Sequence, residues 1–572
     1  MTDLITAGLS PAVPVILAGL LAALSPSYTL RKILMIAAPL IAAGIWFMTP
    51  EVGIFGAMDL AGFGFETYRF DPLSRIWGLI FILAIFLNSI YALHERDKLA
   101  DSSTLIYSGA GLGAVFAGDL LTLFFFWELT AISSVFLIWA SRNPESFRAG
   151  LRYLAIHVLS GVLLLAGAVL YANHSGSWQF NAIDVNAPGG LLILLAFGIK
   201  AAFPLMHNWL QDAYPKATAT GAVVLSAFTT KLAIYALARG FAGLDILVWV
   251  GAVMVAFPVF YAVIENDLRK VLAYSINNQL GFMVAGIGVG SALGLNGVAA
   301  HAFVHIIYKA LLFMSMGAVF MRVGHTKASE LGGLYKSMPF TAFFCLIGAG
   351  AISAFPLFSG FVAKALTLSA VAYGGYEIPF VILVFASAGV LEHSGIKIPY
   401  FAFFSHDRGH RVKEAPWNML LAMGLASFLC VYLGINYGAL YALLPFDMEP
   451  YQPYTFDHIV GQMQLLIAAL FAFSLLVKLK WYPQEVRSIN LDTDWFYRRL
   501  GDGFFRWAGA MSGRLSASIS NRLGAAGTAV ADKLFNLFSP AGALSRDVPS
   551  GILAIWTSVL LGLVMVIAYV AG

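Results

Sequence analysis

About sixteen runs of roughly twenty apolar residues divide the chain, and each is long enough to cross the hydrocarbon of a bilayer as a helix. The first spans 7–24 and the last 551–570. Unbroken runs of this kind specify helices, because a membrane barrel would alternate apolar and polar residues along each strand. Composition agrees: 60% of the 572 residues are hydrophobic and 11% are charged, against about 25% charged in a soluble domain. A soluble chain this apolar would aggregate, so lipid is the solvent the sequence requires. A net charge of +4 is too mild for a nucleic-acid surface. Cys345 and Cys430 lie in apolar runs without the spacing of a metal, haem or cluster site. There is no phosphate loop or dinucleotide fingerprint, so no cofactor is expected. The start, MTDLITAGLSP, lacks the basic region of a cleaved leader, and the first helix is expected to be retained.

The loops alternate in charge. Those after odd-numbered runs carry Arg31, Lys32, Arg96, Lys98, Arg142, Arg148, Lys216, Arg269, Lys270, Arg322, Lys327, Lys336, Arg408, Arg411 and Lys413. Those after even-numbered runs are mostly acidic, with Arg69 and Arg239 as exceptions. A Lys/Arg bias sets orientation, which predicts odd loops in the cytoplasm of a bacterial inner membrane and both termini on the opposite side. The stretch 483–550 is polar but mixes Phe504, Phe505, Trp507, Leu515, Leu523, Leu534, Phe535, Leu537 and Phe538 with Arg506, Arg514, Arg522 and Lys533. That pattern predicts an amphipathic helix along the membrane surface or against a neighbour, followed by a final helix over 551–572.

Ala201–Ala202–Phe203–Pro204–Leu205 in the seventh run returns as Ser353–Ala354–Phe355–Pro356–Leu357 in the twelfth. Proline removes a ladder hydrogen bond, so both spans are predicted to be broken. They lie five spans apart, and an odd repeat turns the second copy upside down, the architecture of many transporters. The division expected is 1–101 for helices 1–3, 102–240 and 241–405 for the two repeats, and 406–482 for helices 14 and 15.

Ionisable residues inside such runs cost about 2.5–3.5 kcal/mol each on insertion scales. The chain holds many: Glu128 in the fifth run, Lys200 at the seventh-helix break, and Lys231 in the eighth. His301, His305 and Lys309 lie on one face of the eleventh, Lys364 after the twelfth-helix break, and Glu392, His393 and Lys397 in the thirteenth. Any one of them could be a structural ion pair or a snorkelling lysine, Lys364 and Lys397 above all. A set spread over several helices has the composition of a proton relay. An amine near a carboxylate can gain and lose a proton as the carboxylate is neutralised, histidine titrates near neutrality, and arginine, which stays charged, does not occur mid-span. Ser133, Ser134, Thr229, Tyr308 and Ser315 supply hydroxyls to bridge gaps.

The segments FFFWELTAISSVFLIW, KAAFPLMHNWLQDAYPKA, KLAIYALAR, DLRKVLAYS, HAFVHIIYKALLFMSMGAV and FPLFSGFVAK follow one another in the order found in the antiporter-like membrane subunits. That family is shared by respiratory complex I, membrane-bound hydrogenases and Mrp-type multisubunit sodium/proton antiporters, and the resemblance covers roughly residues 75–405. It implies an all-α polytopic protein of about sixteen spans: a fourteen-helix core with two inverted five-helix repeats and two broken helices, plus a C-terminal amphipathic segment and final helix. Glu128 resembles the family's fifth-helix glutamate and Lys200 its seventh-helix partner. Lys231 resembles the bridging lysine, His301, His305 and Lys309 the eleventh-helix set, and Lys364 the outlet lysine.

Two stretches depart from the family pattern: Ile276–Asn277–Asn278–Gln279 after LAYS, and LEHSGIKIPYF, which adds Glu392 and His393 to the thirteenth helix. The body resembles the D-type subunit of an Mrp antiporter, and the tail resembles the lateral arm of the distal complex I pumping subunit. The expected function is proton translocation within a multisubunit monovalent cation/proton antiporter, with other membrane subunits, H⁺, and Na⁺ or K⁺ as partners. The alternatives are a pumping arm of a complex I-like or hydrogenase redox complex, where alone it would belong to an enzyme, and the membrane partner of an inorganic-carbon uptake complex.

Overall fold

The computed structural model describes residues 8–49, 52–60, 63–483, 486, 490–539 and 550–571. They fall into two units, Met1–Asn490 and Leu491–Gly572. The first holds α1 (Ala12–Leu24), α2 (Tyr28–Met48), α3 (Pro72–Tyr91), α4 (Lys98–Phe116), α5 (Leu120–Trp139), α6 (Pro144–Ser175), α7a (Gly190–Lys200) and α7b (Asn208–Ala213). It continues with α8a (Ala219–Ala227), α8b (Thr229–Gly240), α9 (Ile246–Ile264), α10 (Leu268–Val289), α11 (Ala292–Val323), α12a (Pro339–Ile352) and α12b (Ser359–Tyr373). The last are α13 (Glu377–Val390), α14 (Trp417–Ile435) and α15 (Phe456–Lys478). The second unit holds α16 (Asp494–Phe538), one continuous helix over the amphipathic stretch, and α17 (Ser550–Ala571). Ten helices among the described residues are long and apolar enough to span a membrane, and several shorter ones are equally apolar. The chain is a multi-pass membrane protein.

Helix ends follow local chemistry. Asp71 and Asn143 each close a capping box with a serine, Ser74 and Ser146, behind a proline at the first helical position, which satisfies orphan backbone donors. Gly176 and Gly324 end α6 and α11 in left-handed conformations at φ 70° and 91°, where a Cβ would be strained. One element departs from the helical expectation. Strand β1 (Gly53–Leu60) pairs antiparallel with β2 (Phe63–Phe70), where β-favouring aromatics and threonine sit between spans.

The repeat is visible in register. α4 and α9 match from 98 to 246 and from 116 to 264, an offset of 148 at both ends. α6 and α11 are each 32 residues long and begin at 144 and 292, the same offset. The isolated bridges Asp119–Gln179 and Asp267–Lys327 keep it too. At the two breaks the backbone is nearly superposable. Ala202 and Leu205 have φ of 59° and 70°, and Ala354 and Leu357 have 54° and 76°. Phe203 N reaches back to Gly198 O at 2.9 Å, as Phe355 N does to Gly350 O at 3.1 Å. Left-handed non-glycine residues cost roughly 1–2 kcal/mol each, so the same pattern held twice marks a shared structural requirement.

A third interruption has no signal in the sequence. α8 breaks at Phe228 (φ −102°, ψ −65°) without a proline. Beyond Val390 the chain of α13 becomes π-helical over Leu391–Ile396 and again over Tyr400–Phe404, a form that recurs at functional sites.

Loop contacts respect the alternation of charge. On the odd side Arg31 and Lys32 bind Asp101, Arg142 binds Asp97, Lys216 binds Glu145, Lys336 binds Asp407, and Arg269 donates to Ala217 O. On the even side the two basic exceptions, Arg69 and Arg239, clasp one carboxylate, Asp71, at 2.9 and 2.8 Å. Tyr376 there donates to Asp245.

Candidate functional site: a buried row of lysines, histidines and hydroxyls

In the first repeat, Lys200 is the last residue of α7a and is fully buried. Its ammonium donates to Trp127 O at 2.6 Å and Thr130 Oγ1 at 2.9 Å, and lies 4.3 Å from the centre of the Trp127 ring. Glu128, the next residue along α5, is half-buried and interacts electrostatically with Lys200. Its Oε1 has no hydrogen-bond partner and occupies the notch left by Gly161 on α6. The pair therefore couples through field and not through a direct hydrogen bond. Trp127 is itself fixed: its indole donates to Ser160 Oγ at 3.0 Å, and Ser160 donates to Ala196 O at 2.8 Å.

His157, not singled out in the sequence, joins this group. It is buried, feels the charge of Lys200, and packs between Tyr153 and Trp209 with ring centroids 4.1 and 4.5 Å away. Neither ring nitrogen has a protein partner. The 148-residue offset equates His157 with His305, Tyr153 with His301 and Gly161 with Lys309. The internal repeat was the signal that could have found it. From Tyr153 the hydroxyls continue: Ser134 Oγ lies 2.9 Å from Tyr153 OH, and Thr229 Oγ1 lies 2.6 Å from Tyr107 OH. Thr229 opens α8b two residues before Lys231. Of the hydroxyls expected to bridge, Ser133 and Ser315 instead return to carbonyls of their own helices.

Three further lysines share one solution to burial. Lys231 donates to Ser226 O at 2.6 Å across the α8 interruption, and Lys364 donates to Ile352 O at 2.7 Å across the α12 break. Lys397 donates to Val263 O and Glu265 O at the end of α9. Carbonyls at the C-terminal ends of helix segments lack intrahelical donors and carry partial negative charge, so each can hold an ammonium in an apolar interior. Lys364 and Lys397 are 2% and 0% exposed, so both are enclosed by protein. By the 152-residue offset of the breaks, Ile352 corresponds to Lys200. The lysine of the first repeat thus starts from the helix end that the lysine of the second repeat reaches back to from α12b.

In the second repeat, His301, His305 and Lys309 are all fully buried on α11. His305 interacts electrostatically with Lys231, Lys309, His301 and Lys364, which joins the halves. The departure at Asn277–Asn278–Gln279 lies inside this group. Asn277 donates to Ala202 O, in the first break, at 2.7 Å. Asn278 donates to Val255 O at 2.6 Å, Gln279 donates to Asn278 Oδ1 at 2.7 Å, and Gln279 Oε1 faces Tyr308 OH at 3.1 Å and His301 Nε2 at 3.2 Å. A backbone carbonyl only accepts, so Val255 O fixes the amide of Asn278, which fixes Gln279. The oxygen left facing His301 favours Nε2 as the protonated nitrogen, with Tyr308 OH, 3.1 Å from the same nitrogen, as a second acceptor. On the extension of α13, His393 and Lys397 are buried and Glu392 is half-buried beside Lys397.

Lone buried polar atoms on His157, His301, His305, Asn277 and Thr230 trace the same route. Buried polar groups that find no protein partner are where internal water binds. Fold and row together define a polytopic membrane protein with titratable groups buried through its interior.

Residues 117–391 match the model described as NADH:quinone oxidoreductase/Mrp antiporter, TM. Hydrogenase-4 component B of Escherichia coli is 28% identical over 65% of this chain and 62% of its own length. The D-type subunit of the Na(+)/H(+) antiporter of Alkalihalophilus pseudofirmus is 28% identical over 64% of this chain and 82% of its own length. The chain spans less than two thirds of the first of these relatives. Among solved structures, a chain of the Mrp complex from Dietzia sp. superposes with a TM-score of 0.71 at 22% identity, covering 83% of this chain and all of that one. A chain of an archaeal membrane-bound sulfane sulfur reductase gives 0.70 at 19%, covering 97% of this chain and all of that one. Residues 117–391 are thus similar to the membrane subunits shared by Mrp antiporters and NADH:quinone oxidoreductases, and the superpositions show the same fold.

Proposed function

We propose that this chain is the proton-translocating subunit of a multisubunit monovalent cation/proton antiporter, similar to the D-type subunit, working beside other membrane subunits in a bacterial cytoplasmic membrane. The observation that carries this reading is the succession of titratable and hydroxyl groups across both repeats, from Glu128 and Lys200 through His157, Tyr153 and Thr229 to Lys231, His305, His301, Lys309 and Lys364. Packing alone does not call for such a row, because each buried charge is costly.

The odd loops supply an inlet. A cavity of about 790 Å³ opens among them, lined by Glu95, Glu145, Asp267 and His325 among others. These groups collect protons at the side the Lys/Arg bias places in the cytoplasm, and both termini then lie outside. Glu128 sets the state of Lys200: while the carboxylate is charged the amine keeps its proton, and neutralising the carboxylate lets the amine pass it on. Exchange of the metal cation is assigned to the assembled complex.

A second reading keeps the same relay but drives it by redox chemistry in neighbouring subunits. It draws on the hydrogenase relative and on the sulfane sulfur reductase likeness, which extends over 97% of the chain. The test is reconstitution of the complex purified through this chain. A Na⁺ or K⁺ pulse that moves protons without any electron donor, and fails to do so with Glu128→Ala or Lys200→Ala, is the expected result. Co-purifying iron–sulfur and flavin subunits, with proton movement only on adding reductant, would establish the second reading instead.

A further inference from the structure

The π-helical stretch after α13 brings two serines into line between buried bases. Lys309 Nζ donates to Ser275 Oγ at 2.8 Å. Ser394 Oγ donates to Ser275 Oγ at 2.8 Å, and Ser394 Oγ lies 2.7 Å from His393 Nδ1. All four side chains are fully buried, on three helices, α10, α11 and the extension of α13. Three successive contacts of hydrogen-bond length thus join an amine to an imidazole with only hydroxyls between them. His393 Nε2, the far side of that ring, has no protein partner. Gly395, two residues on, leaves so little room that a Cβ there would fall 2.3 Å from Ser353 Oγ, another buried hydroxyl without a partner, at the α12 break. The family match ends at residue 391, the first residue of the π-helical stretch.

We propose that Lys309, Ser275, Ser394 and His393 form a terminal proton branch from α11 to α13, in which Ser275 and Ser394 are transfer groups and His393 receives the proton that Lys309 releases. This rests on the proton-translocating reading above. The Ser394 hydroxyl first turns from Ser275 towards His393 Nδ1 and the Ser275 hydroxyl turns towards Ser394; the step then balances as three concerted hops. The N–H of the Lys309 ammonium breaks and its proton bonds to Ser275 Oγ. The former Ser275 hydroxyl proton passes to Ser394 Oγ, and the former Ser394 proton bonds to His393 Nδ1. Lys309 is left neutral, both hydroxyls are intact with reversed direction, and His393 is cationic and able to release a proton from Nε2. A hydroxyl both accepts and donates, which a methyl or an amide in these places would not do in sequence. The π-helical turn makes the geometry, because the extra residue per turn rotates His393 and Ser394 relative to the α-helical register.

The test uses the whole complex in proteoliposomes, with cation-driven proton flux as readout, Lys200→Ala as the reference for the wider relay, and subunit content checked by gel. Ser394→Ala is expected to slow flux about tenfold or more, within the range of a lost proton-transfer group, while Ser394→Thr, which restores the hydroxyl, stays within about twofold of wild type. His393→Gln is expected to match Ser394→Ala, and Ser275→Ala to do the same. With Lys200→Ala inactive, wild-type flux in Ser394→Ala or His393→Gln, or a threonine as slow as alanine at 394, overturns the branch and leaves the wider function standing. Full flux in Lys200→Ala overturns the wider function itself.

Discussion

The carboxyl of Glu128 fills the place where Gly161 has no side chain: a Cβ built on Gly161 falls 1.6 Å from Glu128 Oε1. No real contact is that short, so the glycine is required by the acid. Gly161→Ala is expected to push the carboxyl off its site while α6 stays helical, since alanine favours helix over glycine by about 1 kcal/mol. Proton flux should fall towards that of Glu128→Ala with the complex still assembled. Wild-type flux in Gly161→Ala would show that the position of Glu128 is not critical.

Lys231 spans the interruption in α8, and its ammonium is the donor that Ser226 O receives. Lys231→Met removes that donor, leaves a buried carbonyl, and is expected to cost about 1–3 kcal/mol of stability together with flux. Lys231→Arg keeps charge and donors, so it is expected to retain more of the thermal stability and still lose flux, because arginine does not release its proton. Thermal unfolding in detergent beside flux in vesicles separates the two effects.

Gln279 holds its carbonyl oxygen towards His301 because Asn278, and behind it Val255 O, leave no other orientation. Gln279→Leu removes one of the two acceptors that favour this tautomer. The expected result is slower flux with a changed pH profile, and in isotope-labelled protein a shift of His301 from the Nε2–H form towards a mixture of tautomers. A spectrum unchanged from wild type would contradict the orientation.

Asp71 locks the even-side loops. Burial acts to raise its pKa, but the guanidinium of Arg239, the Ser74 N–H and Arg69 outweigh burial and hold the carboxyl below its ordinary value of 3.8. A carboxyl depressed on folding stabilises the fold above its unfolded value and loses that contribution as pH falls through the folded value. The contribution of this clasp should therefore be constant from neutral pH down to about pH 4 and fade only below it. Asp71→Asn is expected to lower the unfolding temperature at pH 7 and to remove part of that acid sensitivity.

Much of the fold is legible in the sequence because bilayer chemistry writes it plainly. Pro204 and Pro356 announce two breaks, apolar runs announce the helices, and the two exceptions to the charge pattern, Arg69 and Arg239, are explained by one shared carboxylate. Phe228 carries no such mark: that interruption comes from tertiary packing and from a lysine that supplies a donor five residues from its acceptor. The pairing of β1 with β2 is equally silent, because a short strand pair between spans leaves no span-length signature. The site was partly legible for a related reason. Lysines and glutamates stand out against an apolar background, whereas His157 is a single imidazole on an apolar helix and becomes notable only once the 148-residue register equates it with His305. Ser275, Ser394 and Gly161 matter through which helix faces which, and that is set by how segments distant in the chain pack together.

Cation-driven acidification in proteoliposomes holding the assembled complex, read with a pH-sensitive dye for wild type and Lys200→Ala, bears most directly on the relay. Loss of the signal in Lys200→Ala, with every subunit present and the vesicles tight, is the expected result. An undiminished signal would mean that protons cross without passing this amine, and would contradict the relay.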